Sequence, residues 1–344
     1  MVRIILVGLG GCGRHWVKNI YPQQQEAQLV AYVDASPESL LRARQDLALP
    51  EELCFGSLEQ ALEQVGCDAV QIATTLPTHI PLALTALRAG KHVLLEKPFA
   101  PTLEEAREAI AVAEQQGKLL MINQNYRYSA AVYQVKQLIQ DAYFGPVGTV
   151  AVDFRRYANA APRGSNRHYE LWQPLLVDMA IHHFDLMRFI LDQEPQSISC
   201  QTWNPPYSNF VEPPAGSALI QFDGGAVVSY RGSWVSTAPE TTWSGDWRLE
   251  CLEGVISWRS RGYDQADEVI IQPRGKKPLA LKVDALAFED WGGSLQAFVQ
   301  ALQTGTEPAC AARHNIHTLA FMLAAVESST SGKVVQVQAG PETM

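Results

Sequence analysis

Short apolar runs alternate with amphipathic segments over the first 122 residues of the chain. The apolar runs are continuous and rich in β-branched side chains, which is typical of strands buried on both faces. Strands are predicted at residues 2–7, 28–33, 69–73, 92–95 and 119–122, and helices at residues 14–20, 57–64, 78–89 and 103–115. Such alternation predicts a parallel sheet covered by helices, whose ligands bind at the carboxyl ends of the strands.

A different pattern begins near Gly148, where apolar and polar residues alternate in short runs. Strands are predicted at residues 150–156, 197–202, 218–222, 226–229, 248–252, 255–258 and 268–272, and helices at residues 178–191, 293–304 and 312–328. Glycine turns between some of these runs predict hairpins. The sequence therefore predicts an α/β Rossmann domain at residues 1–122. An α+β domain at 123–344, with a large, open, mainly antiparallel sheet, is expected to bind substrate and form oligomers.

A glycine-rich turn, Gly8-Leu-Gly-Gly-Cys-Gly13, joins the first predicted strand to the first predicted helix. In this context Gly8 makes a tight turn, Gly10 lets the backbone approach a pyrophosphate, and Gly13 lets the helix pack against the strand. The phosphates then face the N–H groups at the start of the helix. Dinucleotide binding is therefore predicted for Gly8, Leu9, Gly10, Gly11, Cys12 and Gly13.

An acidic residue ends the second predicted strand. Asp34 stands 21 residues after Gly13, close to the spacing of the acid that binds the adenosine ribose in dinucleotide-binding folds. A carboxylate there accepts hydrogen bonds from the ribose hydroxyls and repels a 2′-phosphate, which favours NAD over NADP. NADP stays open, because Arg42 and Arg44 lie on the next predicted helix.

Composition and charge narrow the classes of protein. The 344 residues include 27 Lys and Arg against 36 Asp and Glu, a net charge of −9, so nucleic acid is not an expected partner. The six cysteines form no CxxC pair, which favours reduced thiols in the cytoplasm. No apolar run approaches the ~20 residues of a membrane span, and the apolar block at 4–7 is too short for a signal peptide.

Glu96-Lys97-Pro98 closes a predicted buried strand, at the edge of the sheet where ligands bind. A lysine held there can donate to a substrate hydroxyl and stabilise an alkoxide as hydride leaves. The alternative is a surface lysine beside its glutamate neighbour. The residues that follow Ala73 lie at an equivalent strand end.

A polar stripe lies on an otherwise apolar predicted helix. Asp178, His182 and Asp185 are spaced i, i+4 and i+7, so a regular α-helix places them on one face. An imidazole titrates near neutrality, so His182 can take a proton from a hydroxyl, and Asp178 can orient either that hydroxyl or the imidazole. A satisfied core histidine and a metal site are the alternatives, but no third metal ligand is evident. His183 points elsewhere on the helix and is interpreted as structural.

The chain resembles the Gfo/Idh/MocA family, the glucose–fructose oxidoreductase and inositol dehydrogenase group. The matching segments occur in family order over the first 185 residues. They are Gly8–Gly13, Asp34, Ala73-Thr-Thr-Leu-Pro-Thr-His79, Ala89-Gly-Lys-His-Val-Leu-Leu-Glu-Lys-Pro98, Asn125-Tyr-Arg-Tyr128 and Asp178-x-x-x-His182-x-x-Asp185. The Glu-Lys-Pro and Asp-x-x-x-His-x-x-Asp motifs are more specific than the glycine pattern.

The resemblance implies oxidation of a secondary hydroxyl on a sugar, inositol or sugar derivative, or the reverse reduction, with a nicotinamide cofactor. It implies that Lys97 is the catalytic lysine, that His182 is the proton acceptor with Asp178 beside it, and that Arg127 lies near nicotinamide and substrate. Further cofactor contacts are expected from Ala73, Thr74, Thr75, Leu76, His79, Glu96, Lys97 and Asn125. The chain departs from the pattern common in the family at two positions, with Ala180 in place of a glycine and Pro81 in place of a histidine. These departures affect the identity of the substrate more than the type of reaction.

Residues 154–169 contain four arginines and a histidine but no acid. An arginine in this segment can pair with a carboxylate or phosphate of the substrate, and a solvated strand end is the alternative. Tyr157 and Arg163 are added to Lys97, Asp178, His182 and Arg127 as substrate candidates, and no metal ligand is predicted. An uncovered sheet face favours a homodimer or homotetramer.

Three other functions share this architecture. A nucleotide-sensing regulator can lose its lysine and histidine freely, whereas this chain keeps Lys97 and His182. An NAD-dependent glycoside hydrolase retains its cofactor through purification and forms no net NADH. A reductase of a linear tetrapyrrole has no evident need for Lys97, Asp178 and His182 together.

Overall fold

The computed structural model describes residues 1–262 and 266–339. The strands are β1 Val2–Val7, β2 Ala27–Val33, β3 Cys54–Phe55, β4 Ala69–Ile72, β5 His92–Glu96, β6 Leu120–Asn123, β7 Val147–Arg155, β8 Pro195–Trp203, β9 Ala215–Phe222, β10 Val227–Ser233, β11 Asp246–Cys251, β12 Gly254–Arg259, β13 Glu268–Pro273, β14 Leu279–Leu281 and β15 Val335–Gln336. The α-helices are α1 Gly11–His15, α2 Pro37–Leu47, α3 Leu58–Gln64, α4 His79–Arg88, α5 Leu103–Gln115, α6 Ala130–Gln140, α7 Ile181–Leu191, α8 Asp290–Thr304 and α9 Ala312–Ser331. Short π-helical and 3₁₀ segments include Trp16–Ile20, Asn125–Arg127, Arg167–Glu170 and Pro174–Ala180.

The chain divides into two units. The first unit comprises Met1–Asn125 and Phe288–Ile316, and the second comprises Tyr126–Ala287 and the chain from His317 onward. The sequence analysis placed all residues after 122 in one domain, so the return of Phe288–Ile316 is a difference. It arises from backbone contacts that no local pattern encodes. Met121 pairs with Ala311 as an isolated bridge, and the Ile122 N–H donates to the Cys310 carbonyl at 2.9 Å.

The first unit contains a parallel sheet, as the sequence predicts. Its strand order is β3-β2-β1-β4-β5-β6, and every neighbouring pair is parallel. The order reverses at β1, whose neighbours are β2 and β4, and such a reversal opens a crevice at the carboxyl ends of the strands. β4 is buried along its whole length, and its polar residue Gln71 accepts a hydrogen bond from the Tyr21 hydroxyl at 2.6 Å.

The second unit contains a mixed, mainly antiparallel sheet, which confirms the predicted fold class. Its order among the described strands is β14-β13-β12-β11-β7-β10-β9-β8-β15, and β7 and β10 form its parallel pair. The sequence analysis missed the short edge strands β14 and β15. Burial alternates along β9, where Ile220 and Phe222 are buried while Leu219 and Gln221 are exposed. α6 contacts the sheet at β12 and β13.

The helix predicted at 178–191 is not a single α-helix. Pro174–Ala180 is π-helical, and α7 begins only at Ile181. A π-helix has more residues per turn than an α-helix, so the i, i+4 geometry of a regular α-helix does not apply across this change. Asp178 lies before this change, in the π-helical segment, and His182 lies after it, in α7.

Candidate active site

The glycine turn after β1 has the predicted backbone geometry. Gly8 has φ +96°, and a Cβ built on it would lie 2.5 Å from the Ala73 carbonyl oxygen. A Cβ on Gly13 would lie 1.8 Å from the Gly8 carbonyl oxygen, so only glycine lets the helix approach the strand this closely. Gly10 has no atom within 4 Å of such a Cβ, which leaves open space beside the turn. The turn therefore fits a backbone cradle for a pyrophosphate.

Asp34 connects the end of β2 to this glycine turn. Its Oδ2 accepts a hydrogen bond from the Leu9 N–H at 2.8 Å, and its Oδ1 accepts one from the Ser36 N–H at 2.8 Å. The two bonds fix the carboxylate beside the turn. Each carboxylate oxygen has a further lone pair, so the group can still accept bonds from ribose hydroxyls.

The arginines of α2 that could receive a 2′-phosphate are paired with acids. Arg42 lies 2.8 Å from Glu38, and Arg44 lies 2.6 Å from Glu51. These are surface ion pairs, which are weak. Their arrangement nonetheless gives both guanidinium groups a carboxylate partner.

Lys97 follows a buried carboxylate that joins three elements of the first unit. Glu96, the last residue of β5, accepts hydrogen bonds at Oε1 from Trp16 Nε1 at 3.0 Å and from Asn123 Nδ2 at 2.7 Å. Burial and the nearby Glu96 carboxylate raise the pKa of the Cys12 thiol. Burial raises the pKa of Glu96, and the hydrogen bonds oppose that shift. Glu96 thus fixes the end of β5, and with it the half-buried Lys97, to the glycine-turn helix.

His79 joins the turns after β4 and β5. Its Nδ1 lies 2.8 Å from the Pro98 carbonyl oxygen, and its Nε2 lies 3.2 Å from the Thr74 carbonyl oxygen. Burial lowers the pKa of this imidazole, although its bonds to carbonyl oxygens act in the opposite direction. Thr78 adds a hydroxyl bond to Thr74 at 2.8 Å. The predicted cofactor-contacting segment is therefore an ordered turn at the carboxyl edge of the sheet.

Asn125 bonds to the segment that returns to the first unit. Its side-chain amide donates to the carboxylate of Asp290, the first residue of α8. The neighbouring Trp291 packs against Trp16 with ring centroids 5.0 Å apart and planes tilted by 33°, and it meets His15 edge-on at 4.6 Å. The sequence analysis missed Asp290 and Trp291, because these contacts join residues that are 165 or more positions apart in the chain.

In the second unit His182 is a buried imidazole with an aromatic neighbour. Its ring is stacked on that of Tyr126, with centroids 4.0 Å apart and an interplanar angle of 10°. Asp178 is partly exposed, and its Oδ2 lies 3.4 Å from Nε2 of His168. The second unit thus holds a fixed imidazole at 182 and an accessible carboxylate at 178.

Asp185 belongs to a buried ion pair. It accepts from Arg127 Nε at 2.5 Å and from Arg127 Nη2 at 2.7 Å, a bidentate arrangement. The Thr318 hydroxyl donates to the same carboxylate at 2.8 Å and accepts from Arg188 at 2.8 Å. Bidentate, fully hydrogen-bonded pairs are among the strongest polar contacts in proteins. The sequence analysis missed this partnership, and the predicted substrate contact of Arg127 stays a prediction.

Both ring nitrogens of His183 have a hydrogen-bond partner, an arrangement typical of a structural histidine, which is how the sequence analysis interprets this residue. Its Nδ1 lies 3.1 Å from the Tyr230 hydroxyl and its Nε2 lies 3.0 Å from the Trp243 carbonyl oxygen. Complete burial lowers the pKa of His183 to about 4, so the imidazole is neutral at pH 7.

The basic segment at 154–169 divides into paired and exposed groups. Arg155 pairs with Asp246 at 2.9 Å. Arg156 pairs with Glu240 at 2.7 Å. Arg163 and Arg167 are exposed, as is Tyr157, whose N–H donates to Glu240 at 3.0 Å. The structure brings Arg163 to no described acid, and its predicted substrate contact stays a prediction.

The two units define a class of protein, an NAD-binding Rossmann oxidoreductase with an open-sheet second domain. A model described as an oxidoreductase family with an NAD-binding Rossmann fold matches residues 2–124, and a model of the GFO/IDH/MocA C-terminal domain matches residues 132–256. Together they cover more than two thirds of the chain. The chain belongs to the Gfo/Idh/MocA oxidoreductase family and is a dehydrogenase or reductase that acts on CH–OH groups.

Named relatives and solved structures agree with this membership. The chain is 25% identical over 342 residues to an inositol 2-dehydrogenase of Rhizobium meliloti (strain 1021), covering 98% of this chain and 99% of the relative. It is 24% identical over 289 residues to a 1,5-anhydro-D-fructose reductase of Ensifer adhaerens, covering 83% and 84%. An oxidoreductase from Agrobacterium radiobacter in complex with NAD⁺, L-tartaric acid and magnesium has the same fold. Its TM-score is 0.83 at 21% identity, covering 98% of both chains.

Two features of the described residues concern metal binding and membrane insertion. Between residues 1–262 and 266–339, no group of three or more His, Cys, Asp or Glu side chains is arranged to hold a metal ion. Over the same ranges, no helix combines the length and apolar character of a membrane span.

Proposed function

We propose that this chain is an NAD-dependent dehydrogenase of a secondary hydroxyl on a polyol, inositol or sugar derivative. The observation that carries the proposal is the position of Lys97. It follows directly on β5, at the carboxyl edge of a Rossmann sheet, the edge where dinucleotides bind. Family membership and the names of the relatives support the substrate class.

The glycine turn and Asp34 fit the adenosine end of NAD. The open space beside Gly10 accommodates a pyrophosphate, and the fixed carboxylate of Asp34 accepts the ribose hydroxyls while repelling a 2′-phosphate. The acid partners of Arg42 and Arg44 disfavour their use as phosphate ligands. The Asp34 carboxylate and the paired arginines support NAD over NADP, whereas the glycine turn fits either dinucleotide.

Three side chains are proposed to handle the substrate. The Lys97 ammonium donates to the reacting hydroxyl and stabilises the oxygen as negative charge develops. His182 accepts the hydroxyl proton, and Asp178 orients the imidazole or a second hydroxyl. Bound NAD supplies the hydride acceptor. Because Tyr126 fixes the plane of His182, the imidazole is preorganised for this transfer.

We propose a positioning role for Arg127, supported by its burial and by its two bonds to Asp185 on α7, the helix that carries His182. Tyr157 and Arg163 are proposed to contact the polar end of the substrate, supported by their exposure in a segment that also contains His168, the neighbour of Asp178.

A screen of inositols, aldoses, aldonates and uronates with NAD tests the function through the absorbance of the reduced nicotinamide. With the active substrate, Lys97→Ala is expected to lose about 100- to 1000-fold in kcat, the size of effect seen when a transition-state donor is removed. Lys91→Ala, which removes a lysine bonded to the Cys67 carbonyl, is the control and should keep its activity. Full activity of Lys97→Ala would end the proposal.

A double variant tests whether the two halves of the proposed set serve one step. Residues that act as a unit are strongly non-additive, so Lys97→Ala with His182→Gln should lose little more than the worse single variant. If the two losses in kcat multiply instead, the residues act in separate steps and the proposed division of roles is wrong.

We also propose that the chain forms a homodimer or homotetramer through the open face of its second sheet and resides in the cytoplasm. The exposed residues of β9, among them Leu219, support an interface there. No disulfide joins the six cysteines, all of which lie in the described ranges, as is usual for cytosolic proteins. A monomer mass by light scattering at micromolar concentration would contradict the assembly.

A further inference from the structure

Two groups flank the aromatic ring of Tyr126. The imidazole of His182 is stacked on it with centroids 4.0 Å apart, nearly parallel. The guanidinium carbon of Arg261 lies 3.9 Å from the same ring centroid. Two planar groups this close to one centroid would collide on the same face of the ring. They therefore occupy opposite faces, and the order of the stack is Arg261, Tyr126, His182.

The backbone of Arg261 is held by a hydrogen bond to a neighbouring carboxylate. The residue has φ +64°, a left-handed conformation that a non-glycine residue adopts only when its surroundings hold it. Its N–H donates to Asp267 Oδ1 at 3.1 Å, and Asp267 Oδ2 accepts the hydroxyl of Ser129 at 2.7 Å. Ser129 stands three residues after Tyr126. The Asp267 carboxylate therefore links the chain segment of Tyr126 to that of Arg261.

The other side of the stack is fixed by the neighbour of Tyr126. Arg127 binds Asp185 through two bonds, and Asp185 lies one turn beyond His182 on α7. The Asn125–Arg127 turn therefore contacts α7 at two successive turns, once through the ion pair and once through the stacked rings. The plane of the His182 ring is determined by these contacts together.

We propose that Tyr126 and Arg261 are positioning residues for His182. Tyr126 supplies the surface against which the imidazole lies, and Arg261 holds Tyr126 on that surface by a cation–π contact on its far face. This inference rests on the proposed proton-accepting role of His182. Proton transfer requires the accepting nitrogen at hydrogen-bond distance, so a loose imidazole costs kcat rather than substrate affinity.

The kinetic test compares matched variants with the active substrate. Tyr126→Leu removes the stacking surface and should lower kcat by about 10- to 100-fold, the cost of a misplaced catalytic group, with KM for NAD unchanged. Tyr126→Phe keeps the surface and should stay within about twofold of wild type, because stacking needs the ring and not the hydroxyl. Arg261→Met should lower kcat, and Arg261→Lys should restore part of the loss through its own cation–π contact.

Arg259→Met is the control for the loss of an arginine. Arg259 stands two residues before Arg261 and pairs with Glu268 at 3.1 Å on the surface, so its replacement should leave kcat unchanged. A Tyr126→Leu or Arg261→Met enzyme with wild-type kcat overturns the proposal. An equal loss in Arg259→Met also overturns it, because the effect is then common to any arginine near the end of β12.

A second measurement is independent of activity. In NMR spectra of protein labelled at the histidine ring carbons, the His182 signal is identified by its disappearance in His182→Gln. A ring proton above the face of a tyrosine is shielded, so Tyr126→Leu should move that signal downfield while Tyr126→Phe leaves it in place. Arg261→Met should move it in the same direction. If the wild type oxidises no substrate, the proposed function fails, yet an unmoved signal in both variants still refutes the stack.

Discussion

Removal of the Asp185 carboxylate is expected to destabilise the second unit by several kcal/mol. The side chains of Arg127 and Asp185 are 6% and 1% exposed, so Asp185→Ala removes a carboxylate from beside a buried guanidinium. Breaking a buried pair in this way costs about 3–5 kcal/mol. The Thr318 hydroxyl loses an acceptor as well, which places the expected cost in the upper part of that range.

Urea unfolding followed by tryptophan fluorescence measures this cost. Of the 8 tryptophans, Trp16 and Trp291 belong to the first unit, and the others belong to the second and report its unfolding. With a urea dependence of about 3 kcal/mol per M for a unit of this size, the midpoint of unfolding should fall by roughly 1.3–1.7 M. Because α7 carries His182, kcat should fall under conditions in which the unit remains folded.

An exposed pair on β11 of the second unit supplies the control. Arg248 and Glu250 are 58% and 48% exposed, and Glu250→Ala should change the free energy of unfolding by less than about 1 kcal/mol. A double replacement, Arg127→Met with Asp185→Leu, should recover much of the loss, because apolar side chains remove the unpaired charge. If Asp185→Ala shifts the midpoint no more than Glu250→Ala does, the buried pair is not a determinant of stability.

Two further predictions concern pH and cofactor choice. Burial lowers the pKa of His183 from 6.5 to about 4, so the unfolded imidazole gains a proton between these values while the folded one does not. The second unit should therefore lose up to about 3 kcal/mol as pH falls from 6.5 to 4, and a urea midpoint that falls as steeply in His183→Gln would contradict this origin. Asp34→Ser should raise KM for NAD and narrow the preference over NADP. If the ratio of kcat/KM with NAD to kcat/KM with NADP is the same in Asp34→Ser as in the wild type, Asp34 is not the basis of the cofactor preference.

The fold was largely predictable from sequence because its signals are local. A continuous apolar run such as residues 4–7 of β1 records burial on both faces, and the position of Gly8 records a backbone with positive φ. The strands of the second sheet were found from their alternation, within a few residues of their observed ends. Its edge strands β14 and β15 were missed, since two or three residues leave no readable period.

The candidate site was predictable only in its residue types. Lys97, Asp178 and His182 were found from motif and helical spacing, and their catalytic roles stay a proposal. Asp185 was assigned to the same polar stripe, but it pairs with Arg127. The residues before α7, Pro174–Ala180, are π-helical, so Asp178 and His182 do not have the i, i+4 geometry of a regular α-helix. No recognisable pattern in the sequence predicts this π-helix.

The amino-acid sequence alone determined the two kinds of sheet, the dinucleotide turn and the acid at its edge, because periodicity and glycine spacing are properties of neighbouring residues. Only the tertiary structure determined the return of Phe288–Ile316 to the first unit and the stack of Arg261 on Tyr126 and His182. Such contacts join residues far apart in the chain. Their free energy comes from burial and charge pairing after folding, so no local pattern records them.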